Sequence, residues 1–300
     1  MIGAGAVGCY FGGMLARAGQ EVFFVGRPGS TSEHMRRLAE RGLVFEGVDV
    51  RETIPIQVAD TRTALESADL VLVAVKTLDT EEAALGIKDH LVPGAIVVSL
   101  QNGIDNVDRM ASVGVEALAS VVIVAAAIDE PGVIRHRGRG DLVLGDPRRM
   151  REVEEVAARL QAAGVPCVIS SQIRRDQWIK LILNSMTNPI SALTDASYRD
   201  LSAFQPTWNL ALQVMDEGIA VAAAEGVELS REDLIEQGLA IMRNVGDATS
   251  STQQDIARGR KTEIDALNGT IARRGAELGV ETPANDALWA LVKLREGSHA

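Results

Sequence analysis

Three polar side chains recur at intervals of four residues within an apolar stretch of the chain. They are Lys180, Asn184 and Asn188. On a helix, four residues turn the chain by about 400°, so the three side chains lie on one slowly drifting stripe. A lysine among apolar neighbours can donate a proton near neutral pH, and amides can orient an anion without adding charge. The alternative is a solvated helix face, on which lysine and asparagine are common.

A second group of candidates lies between Ser251 and Glu263. Asp255, Gly259 and Glu263 are again four residues apart, which predicts a common helical stripe. Gly259 would leave room for a close approach, at a cost in helix propensity of roughly 1 kcal/mol. Spacing alone does not decide which of the two acids contacts a ligand.

The chain opens with glycines at the spacing of a phosphate-binding turn. The motif comprises Gly3, Gly5, Ala6, Val7 and Gly8, and a helical run follows it. Such glycines permit a tight turn, close approach of a pyrophosphate to the backbone, and close packing of helix on strand. The motif therefore predicts a dinucleotide site, and the alternative is a glycine-rich turn without a ligand.

The end of the second strand bears on which dinucleotide is preferred. NAD-dependent enzymes place an acidic residue there to bind the ribose 2′-hydroxyl. This sequence has Arg27 and no acidic residue in the same turn, and a guanidinium suits the 2′-phosphate of NADP. We expect NADPH/NADP as the cofactor; the alternative is an ordinary surface arginine.

Two further strand ends carry polar residues. Lys76 follows one apolar run and Asn102 follows the next. Open parallel sheets bind ligands at the carboxyl ends of their strands, so both residues are expected beside the cofactor crevice. For either residue alone, an ordinary strand-terminal turn is the alternative.

The elements that must position these residues follow from the apolar pattern. Up to about residue 170, short apolar runs such as LVLVAV alternate with helical stretches, as in strands covered on both faces. From residue 171 helical periodicity continues to the C-terminus. The sequence predicts an α/β protein, with an N-terminal Rossmann-type parallel sheet and its helices in an NADP-binding domain (1–170), followed by an all-α substrate domain (171–300).

The strands themselves can be placed approximately. Only Met1 and Ile2 precede the glycine motif, so either the first strand is unusually short or the given sequence begins inside it. An antiparallel pair is expected in 42–58, and a hairpin near Pro131, Gly132 and Gly140. The other expected strands are 21–25, 69–75, 95–100, 120–126 and 166–170.

The composition of the chain disfavours several classes of binding partner. Forty-one acidic against 30 basic residues give a net charge of −11, and aromatic residues make up only 3%, which together disfavour nucleic acid and anionic membranes. No apolar run reaches the roughly 18 residues of a membrane span. Two distant cysteines and four histidines disfavour a metal site and favour a reducing, cytoplasmic location. The aliphatic helical half could join two copies of the chain as a homodimer.

Taken in order, these motifs resemble those of the ketopantoate reductase (2-dehydropantoate 2-reductase) family. The resemblance extends from Gly3 to about Asn268, through GAGAVG, the VGR turn, VKT, QNG, PGVIRHRGRG, WIKLILNSMTNP and SSTQQDIARGRKTEID. It implies a Rossmann domain followed by a helical domain. It also implies NADPH-dependent reduction of ketopantoate, a small 2-oxo acid, to pantoate in pantothenate and coenzyme A biosynthesis.

The resemblance also implies a role for each matching residue. Lys180 would be the proton donor. In 195–200 the chain departs from the family, because Ser197 or Tyr198 stands where a further active-site asparagine is expected. Substrate contacts are implied for Asn102, Asn184, Asn188, Ser251 and Glu263, and cofactor contacts for Gly3, Gly5, Ala6, Val7, Gly8, Arg27, Lys76 and Asn102.

Two other functions stay open at this point. One is an NADPH-dependent reductase of another 2-oxo acid, or of an imine, on the same scaffold. The other is a non-catalytic NADPH-binding sensor, which is disfavoured because Lys180, Asn184, Ser251 and Glu263 are all present and a sensor needs none of them.

Overall fold

A computed structural model describes residues 1–27 and 32–297, with only the backbone of Val245. It divides into two compact units, Met1–Ile173 and Arg174–Ala300. Every strand in the described part of the chain lies in the first unit, and the second is built from helices and turns. The predicted fold class, a Rossmann-type α/β region followed by a helical region, is confirmed.

The first unit alternates strands and helices along most of its length. Its elements are, in chain order, α1 (Ala6–Arg17), β1 (Phe23–Phe24), α2 (Glu33–Arg41), β2 (Leu43–Glu46), β3 (Arg51–Ile54), β4 (Gln57–Val58), α3 (Thr61–Leu65), β5 (Leu70–Val73), a 3₁₀ turn (Thr77–Asp79), α4 (Thr80–Lys88), β6 (Ile96–Ser99), α5 (Asn106–Ser112), β7 (Ala119–Glu130), β8 (Val133–Gly145), α6 (Met150–Ala162) and β9 (Cys167–Ile169).

The short strands around the glycine motif pair in parallel. β1 pairs with β4, and β5 pairs with β6. Ile2 bridges these two pairs, because it contacts Val25 on one side and Val73 on the other. Its N–H donates to the carbonyl of Leu72 at 2.8 Å. The strand before the glycine motif is therefore a single bridging residue.

A second sheet contains an antiparallel hairpin. Its order is β3-β2-β8-β7, with β9 paired to β8. The sequence places 120–126 in the parallel sheet, whereas β7 pairs antiparallel with β8. The reason is the tight reversal at Pro131 and Gly132, where glycine has φ +82°. Gly140 lies within β8 and not in a turn, and its carbonyl accepts a hydrogen bond from the Tyr10 hydroxyl at 3.3 Å.

The second unit is a set of packed helices. Its elements are α7 (Ile173–Thr194), α8 (Tyr198–Ala203), α9 (Gln205–Ala224), α10 (Arg231–Val245), α11 (Ser251–Ala257), a 3₁₀ turn (Ile264–Ala266), α12 (Asn268–Leu278) and α13 (Pro283–Gly297). Among the described residues, no helix combines the length and the apolar character needed to cross a membrane.

Helix α7 continues through a proline because a buried side chain satisfies the backbone group that the proline leaves open. Pro189 has no N–H to donate to the carbonyl of Ser185, four residues earlier. The Asn268 side chain donates to that carbonyl instead, at 3.1 Å. Asn268 also donates to Asn285, which donates in turn to the buried carboxylate of Glu217 at 2.8 Å. This chain of hydrogen bonds fixes the part of α7 that carries the predicted stripe.

Candidate active site

The glycine motif forms a turn that only glycine can make at two of its positions. Gly3 has φ +94°, and a Cβ there would lie 3.0 Å from the backbone of Ala74. A Cβ on Gly8 would lie 2.1 Å from the carbonyl oxygen of Gly3. Gly5 is exposed, and a Cβ added to it would meet no atom within 4 Å. The turn therefore leaves open space at Gly5 and packs tightly at the two other glycines.

Helix α1 begins directly after this open position. Gly5 is its N-cap and supplies no side-chain acceptor, and the first turn carries no acidic residue. The first N–H groups of a helix, here those of Ala6 and Val7, have no acceptor within the helix and carry partial positive charge. Open space and unused donors at one helix end fit a pyrophosphate, so the turn is compatible with a dinucleotide.

Arg27 is paired with an acid that its own turn does not contain. Its guanidinium lies 2.5 Å from the Asp79 carboxylate, which belongs to the 3₁₀ turn after β5. The two side chains are 59% and 40% exposed. An exposed ion pair of this kind contributes little stability and rearranges easily. A phosphate near Arg27 would thus compete with Asp79, a partner that the sequence reasoning missed because it is 52 residues away.

The strand ends that carry Lys76 and Asn102 are held side by side. In the β5–β6 pair Val73 is opposite Ser99, and each polar residue follows its strand by three positions. The Thr77 hydroxyl donates to the carbonyl of Asn102 at 3.1 Å and thereby joins the two turns. The structure therefore brings Lys76 and Asn102 to the same edge of the sheet.

A buried network beneath these turns was not anticipated from the sequence. Gln101 donates to the carbonyl of Val75 at 3.0 Å and to the Thr80 hydroxyl at 2.7 Å, and accepts from Ser99 at 2.9 Å. Thr80 donates to Asn106 at 3.1 Å. Gln101 is 5% exposed, and its bonds to Ser99 and Thr80 are buried. Because the partners come from separate elements, only the sheet topology reveals the network.

Lys180 lies on α7 in surroundings that weaken its charge. The residue is partly buried, and the next two residues, Leu181 and Ile182, lie in the core. Burial lowers the pKa of Lys180 to about 8, against an opposing effect of the Glu263 carboxylate, which favours the charged form. Lys180 and Glu263, predicted from separate motifs, therefore interact electrostatically within the helical unit.

Asn184 and Asn188 continue the stripe toward the end of α7. Asn184 is partly buried, whereas Asn188 is 3% exposed. The carbonyl oxygen of the Asn188 side chain accepts from the Tyr198 hydroxyl at 3.1 Å, and its backbone carbonyl accepts from Ser250 Oγ at 3.1 Å. A merely solvated helix face does not describe these positions.

The expected helical stripe of Asp255, Gly259 and Glu263 is wrong. Helix α11 ends at Ala257, and Gly259 has φ +62°, a conformation typical of a helix terminus. The N–H of Arg260 closes this terminus by donating to the carbonyl of Asp255 at 2.8 Å. Glu263 lies beyond the helix and is the N-cap residue of the 3₁₀ turn that follows.

The segment around Glu263 is attached to the last helix. The backbone N–H and the hydroxyl of Thr262 donate to the Glu296 carboxylate at 2.7 and 2.5 Å.

Ser251 is exposed at the first position of α11, while its neighbour Ser250 is buried and caps the helix by accepting from the N–H of Gln253. Sequence reasoning missed Ser250, although a serine three residues before Gln253 is a common capping signal.

The first unit also contains a cavity away from the strand ends that carry Lys76 and Asn102. It is lined in part by Met1, Val22, Leu70 and Arg159, on the side where the strands begin. Ligands of open α/β sheets bind where the strands end. This cavity is therefore not the candidate site.

Comparison with known proteins assigns the chain to a family. The family profile described as "Ketopantoate reductase PanE/ApbA" matches residues 1–149, and that described as "Ketopantoate reductase PanE/ApbA C terminal" matches residues 172–296. The chain belongs to the ketopantoate reductase family. As a member of this family it is an NAD(P)-dependent oxidoreductase that acts on a CH–OH group.

Individual ketopantoate reductases and a related dehydrogenase resemble it over nearly their whole length. The 2-dehydropantoate 2-reductase of Pyrococcus abyssi is 34% identical and covers 99% of this chain and 97% of its own. A PanE/ApbA family ketopantoate reductase from Ralstonia eutropha JMP134 has a crystal structure with TM-score 0.91 and 43% identity, covering 99% and 98%. D-mandelate dehydrogenase, solved with NADH and anilino(oxo)acetate, gives TM-score 0.93 at 25% identity, covering 99% and 98%.

Proposed function

We propose that this protein reduces 2-dehydropantoate (ketopantoate) to pantoate with NADPH, as a step in pantothenate and coenzyme A biosynthesis. The observation that carries the proposal is Lys180, whose pKa is lowered to about 8 by burial beside Glu263. The family assignment and the names of the relatives support the choice of substrate. Two buried free cysteines, Cys9 and Cys167, support a reducing location such as the cytoplasm.

The first unit is proposed to bind the cofactor. The turn formed by Gly3, Gly5 and Gly8 and the first N–H groups of α1, from Ala6 and Val7, would hold the pyrophosphate. Bound NADPH supplies a hydride to the substrate carbonyl carbon. Arg27 would contact the 2′-phosphate, which favours NADP over NAD because a guanidinium pairs strongly with phosphate. Lys76 and Asn102 would contact the ribose and nicotinamide portions from the neighbouring strand ends.

Lys180 is proposed to deliver the proton that the reaction requires. Reduction leaves negative charge on the former carbonyl oxygen, and Nζ of Lys180 would transfer its proton to that oxygen. A free lysine has a pKa of about 10.4 and is a weak acid at neutral pH. A pKa near 8 brings the ammonium group closer to working pH, where proton donation is efficient.

The polar residues around Lys180 are proposed to orient the 2-oxo acid. Asn184 and Asn188 would contact its carboxylate and carbonyl oxygens without adding charge. Ser251 and Glu263 would hydrogen-bond the distal hydroxyl group of ketopantoate. Contacts to a hydroxyl give strong discrimination, because an analogue without it leaves polar protein groups unpaired.

The direct test is NADPH oxidation in the presence of ketopantoate and of a panel of other 2-oxo acids. We expect ketopantoate to give the highest kcat/KM. Glu263→Ala should raise KM for ketopantoate about tenfold or more and affect the non-hydroxylated acid 3,3-dimethyl-2-oxobutanoate much less. An equal effect on both acids would remove Glu263 from recognition of the hydroxyl.

A second candidate is reduction of a different 2-oxo acid. Its support is the likeness to D-mandelate dehydrogenase, a protein solved with NADH and an aryl-substituted oxo acid. A chain with that function would favour NADH and an aromatic substrate such as phenylglyoxylate. Higher kcat/KM for phenylglyoxylate than for ketopantoate would replace the first proposal with this one.

A further inference from the structure

A tyrosine hydroxyl holds the side-chain amide of Asn188. Tyr198 donates to its Oδ1 at 3.1 Å. The Thr187 hydroxyl lies 3.3 Å from the same oxygen, but it has a single proton and makes a shorter bond, of 3.0 Å, to the backbone carbonyl of Leu183. Tyr198 is therefore the donor that acts on the carbonyl end of Asn188, a residue that is only 3% exposed. The NH₂ end of the amide can donate but not accept, so Nδ2 is the end of Asn188 that remains suited to an oxygen of a ligand.

Tyr198 is fixed by contacts of its own. It is the first residue of α8, and Ser197 and Asp200 close the start of that helix with a reciprocal capping box. Its backbone N–H donates to the carbonyl of Ala248 at 3.1 Å. Burial raises the pKa of Tyr198 above that of a free phenol, so the hydroxyl keeps its proton and remains a donor at neutral pH.

The segment held by Tyr198 continues to the residues next in the site. Ser250 lies two residues after Ala248. Its N–H donates to Ser191 Oγ at 3.1 Å, and its hydroxyl donates to the backbone carbonyl of Asn188 at 3.1 Å. Asn188 is therefore contacted from α8 and from the start of α11. The second of these contacts also fixes the position of Ser251.

We propose that Tyr198 is a positioning residue that locks the amide of Asn188 so that Nδ2 donates to an oxygen of the 2-oxo acid. This inference rests on the proposed function, because it assigns the ligand of the same site. Without the phenolic hydroxyl the amide can rotate and present its acceptor to an anion. Binding then weakens, while the proton transfer from Lys180 is unaffected.

The variant Tyr198→Phe removes one oxygen and keeps the ring. We expect KM for ketopantoate to rise about three- to tenfold, with kcat within about twofold and the pH profile unchanged, which is the effect of losing one neutral hydrogen bond. With 3,3-dimethyl-2-oxobutanoate, which has the same carboxylate and carbonyl groups but no distal hydroxyl, we expect an equal rise in KM, and no rise would overturn the pairing of Nδ2 with those oxygens. An unchanged KM for ketopantoate, or a fall in kcat alone, overturns the proposal.

The chain offers a matched control. Tyr10, the other tyrosine, is buried in the first unit and donates to the carbonyl of Gly140 at 3.3 Å. Tyr10→Phe loses a comparable hydrogen bond away from Asn188, so KM for ketopantoate should stay at the wild-type value. A rise equal to that of Tyr198→Phe would show a general loss of packing and contradict the positioning role.

A second readout does not depend on turnover. The side-chain amide signal of Asn188 can be assigned in ¹⁵N-labelled protein by its loss in Asn188→Ala. We expect this signal to shift in Tyr198→Phe and not in Tyr10→Phe, and an unshifted signal overturns the lock. If the wild type reduces no 2-oxo acid, the proposed function fails, and the amide signal still decides whether Tyr198 sets the orientation of Asn188.

Discussion

The strand ends of the first unit and helix α7 of the second hold their lysines in different ways. Lys76 is exposed and follows a strand whose end is fixed by the buried hydrogen bonds of Gln101. Lys180 is partly buried, and burial lowers its pKa to about 8. The first arrangement fixes the backbone and leaves the lysine side chain exposed at the surface. The second changes the proton affinity of the cation.

This difference matches what binding and proton transfer each require. A charge that attracts phosphate acts best when it is fully ionised and accessible. A proton donor acts best when its pKa lies near the working pH, and desolvation is the direct way to bring a lysine there. The comparison therefore supports the proposals that the sheet edge binds anions and that Lys180 transfers a proton, and each proposal can be tested separately.

The largest effect is expected from Lys180→Met, which removes the proposed proton donor and keeps an apolar side chain of similar length. We expect kcat/KM for ketopantoate to fall about 10²- to 10⁴-fold. NADPH affinity, measured by fluorescence titration, should stay within about threefold. Lys88→Met, at an exposed position of α4, is the control and should keep wild-type activity. Retained turnover in Lys180→Met would remove Lys180 from the chemistry.

The same variant should be more stable than the wild type. A lysine with a lowered pKa in the folded protein destabilises the fold at pH values below its ordinary pKa, because the charged form is disfavoured there. Lys180→Met removes the buried charge, so the free energy of unfolding at pH 7 should rise by about 1 to 3 kcal/mol. Chemical denaturation measures it, and a decrease would show that the charged lysine stabilises the fold.

A smaller effect is expected at Arg27, on the binding side of the comparison. Arg27→Ala should reduce the preference for NADPH over NADH about 10- to 100-fold, which corresponds to one lost charge-assisted contact. Asp79→Asn should act in the opposite direction and strengthen NADPH binding a few-fold, because it removes the acid that pairs with Arg27. Ratios of kcat/KM for the two cofactors measure both, and an unchanged ratio in Arg27→Ala would refute the assignment.

The smallest effect is expected from the network beneath the strand ends. Gln101→Ala should raise KM for NADPH about three- to tenfold and lower the free energy of unfolding by about 1 to 3 kcal/mol, since buried partners lose their hydrogen bonds. Gln161→Ala is the matched control, because Gln161 also donates to a backbone carbonyl, that of Cys167 at 2.7 Å. It should lower stability without changing KM for NADPH. If KM for NADPH is the same in both variants, the network does not contribute to cofactor binding.

Much of the fold was predictable because its signals are local. Apolar runs marked the strands that lead to Lys76 and Asn102, and four-residue spacing marked the stripe on α7. The glycine spacing likewise indicated a tight turn, whose conformation at Gly3 only glycine adopts readily. The pairing of β7 was predicted wrongly: the strand was expected in the parallel sheet but pairs antiparallel with β8. An apolar run predicts a strand but does not show which strand it pairs with.

The candidate site was less predictable because its contacts join distant parts of the chain. Asp79 beside Arg27 and Tyr198 beside Asn188 both depend on how separate elements pack. The helical periodicity around Gly259 was misleading, since a glycine with positive φ ends the helix before Glu263. Residue types and spacing thus identified candidate groups, whereas their partners required the tertiary structure.

The pH dependence of kcat/KM for ketopantoate reduction, measured at saturating NADPH, tests the central role of Lys180 most directly. Only protonated Lys180 can donate, and its pKa is about 8, so kcat/KM should be constant below that pH and fall about tenfold per unit above it. In Glu263→Gln the midpoint should move to lower pH, because the carboxylate that favours the charged lysine is gone. A profile that stays flat to pH 10, or a midpoint near the ordinary lysine value, would contradict the account.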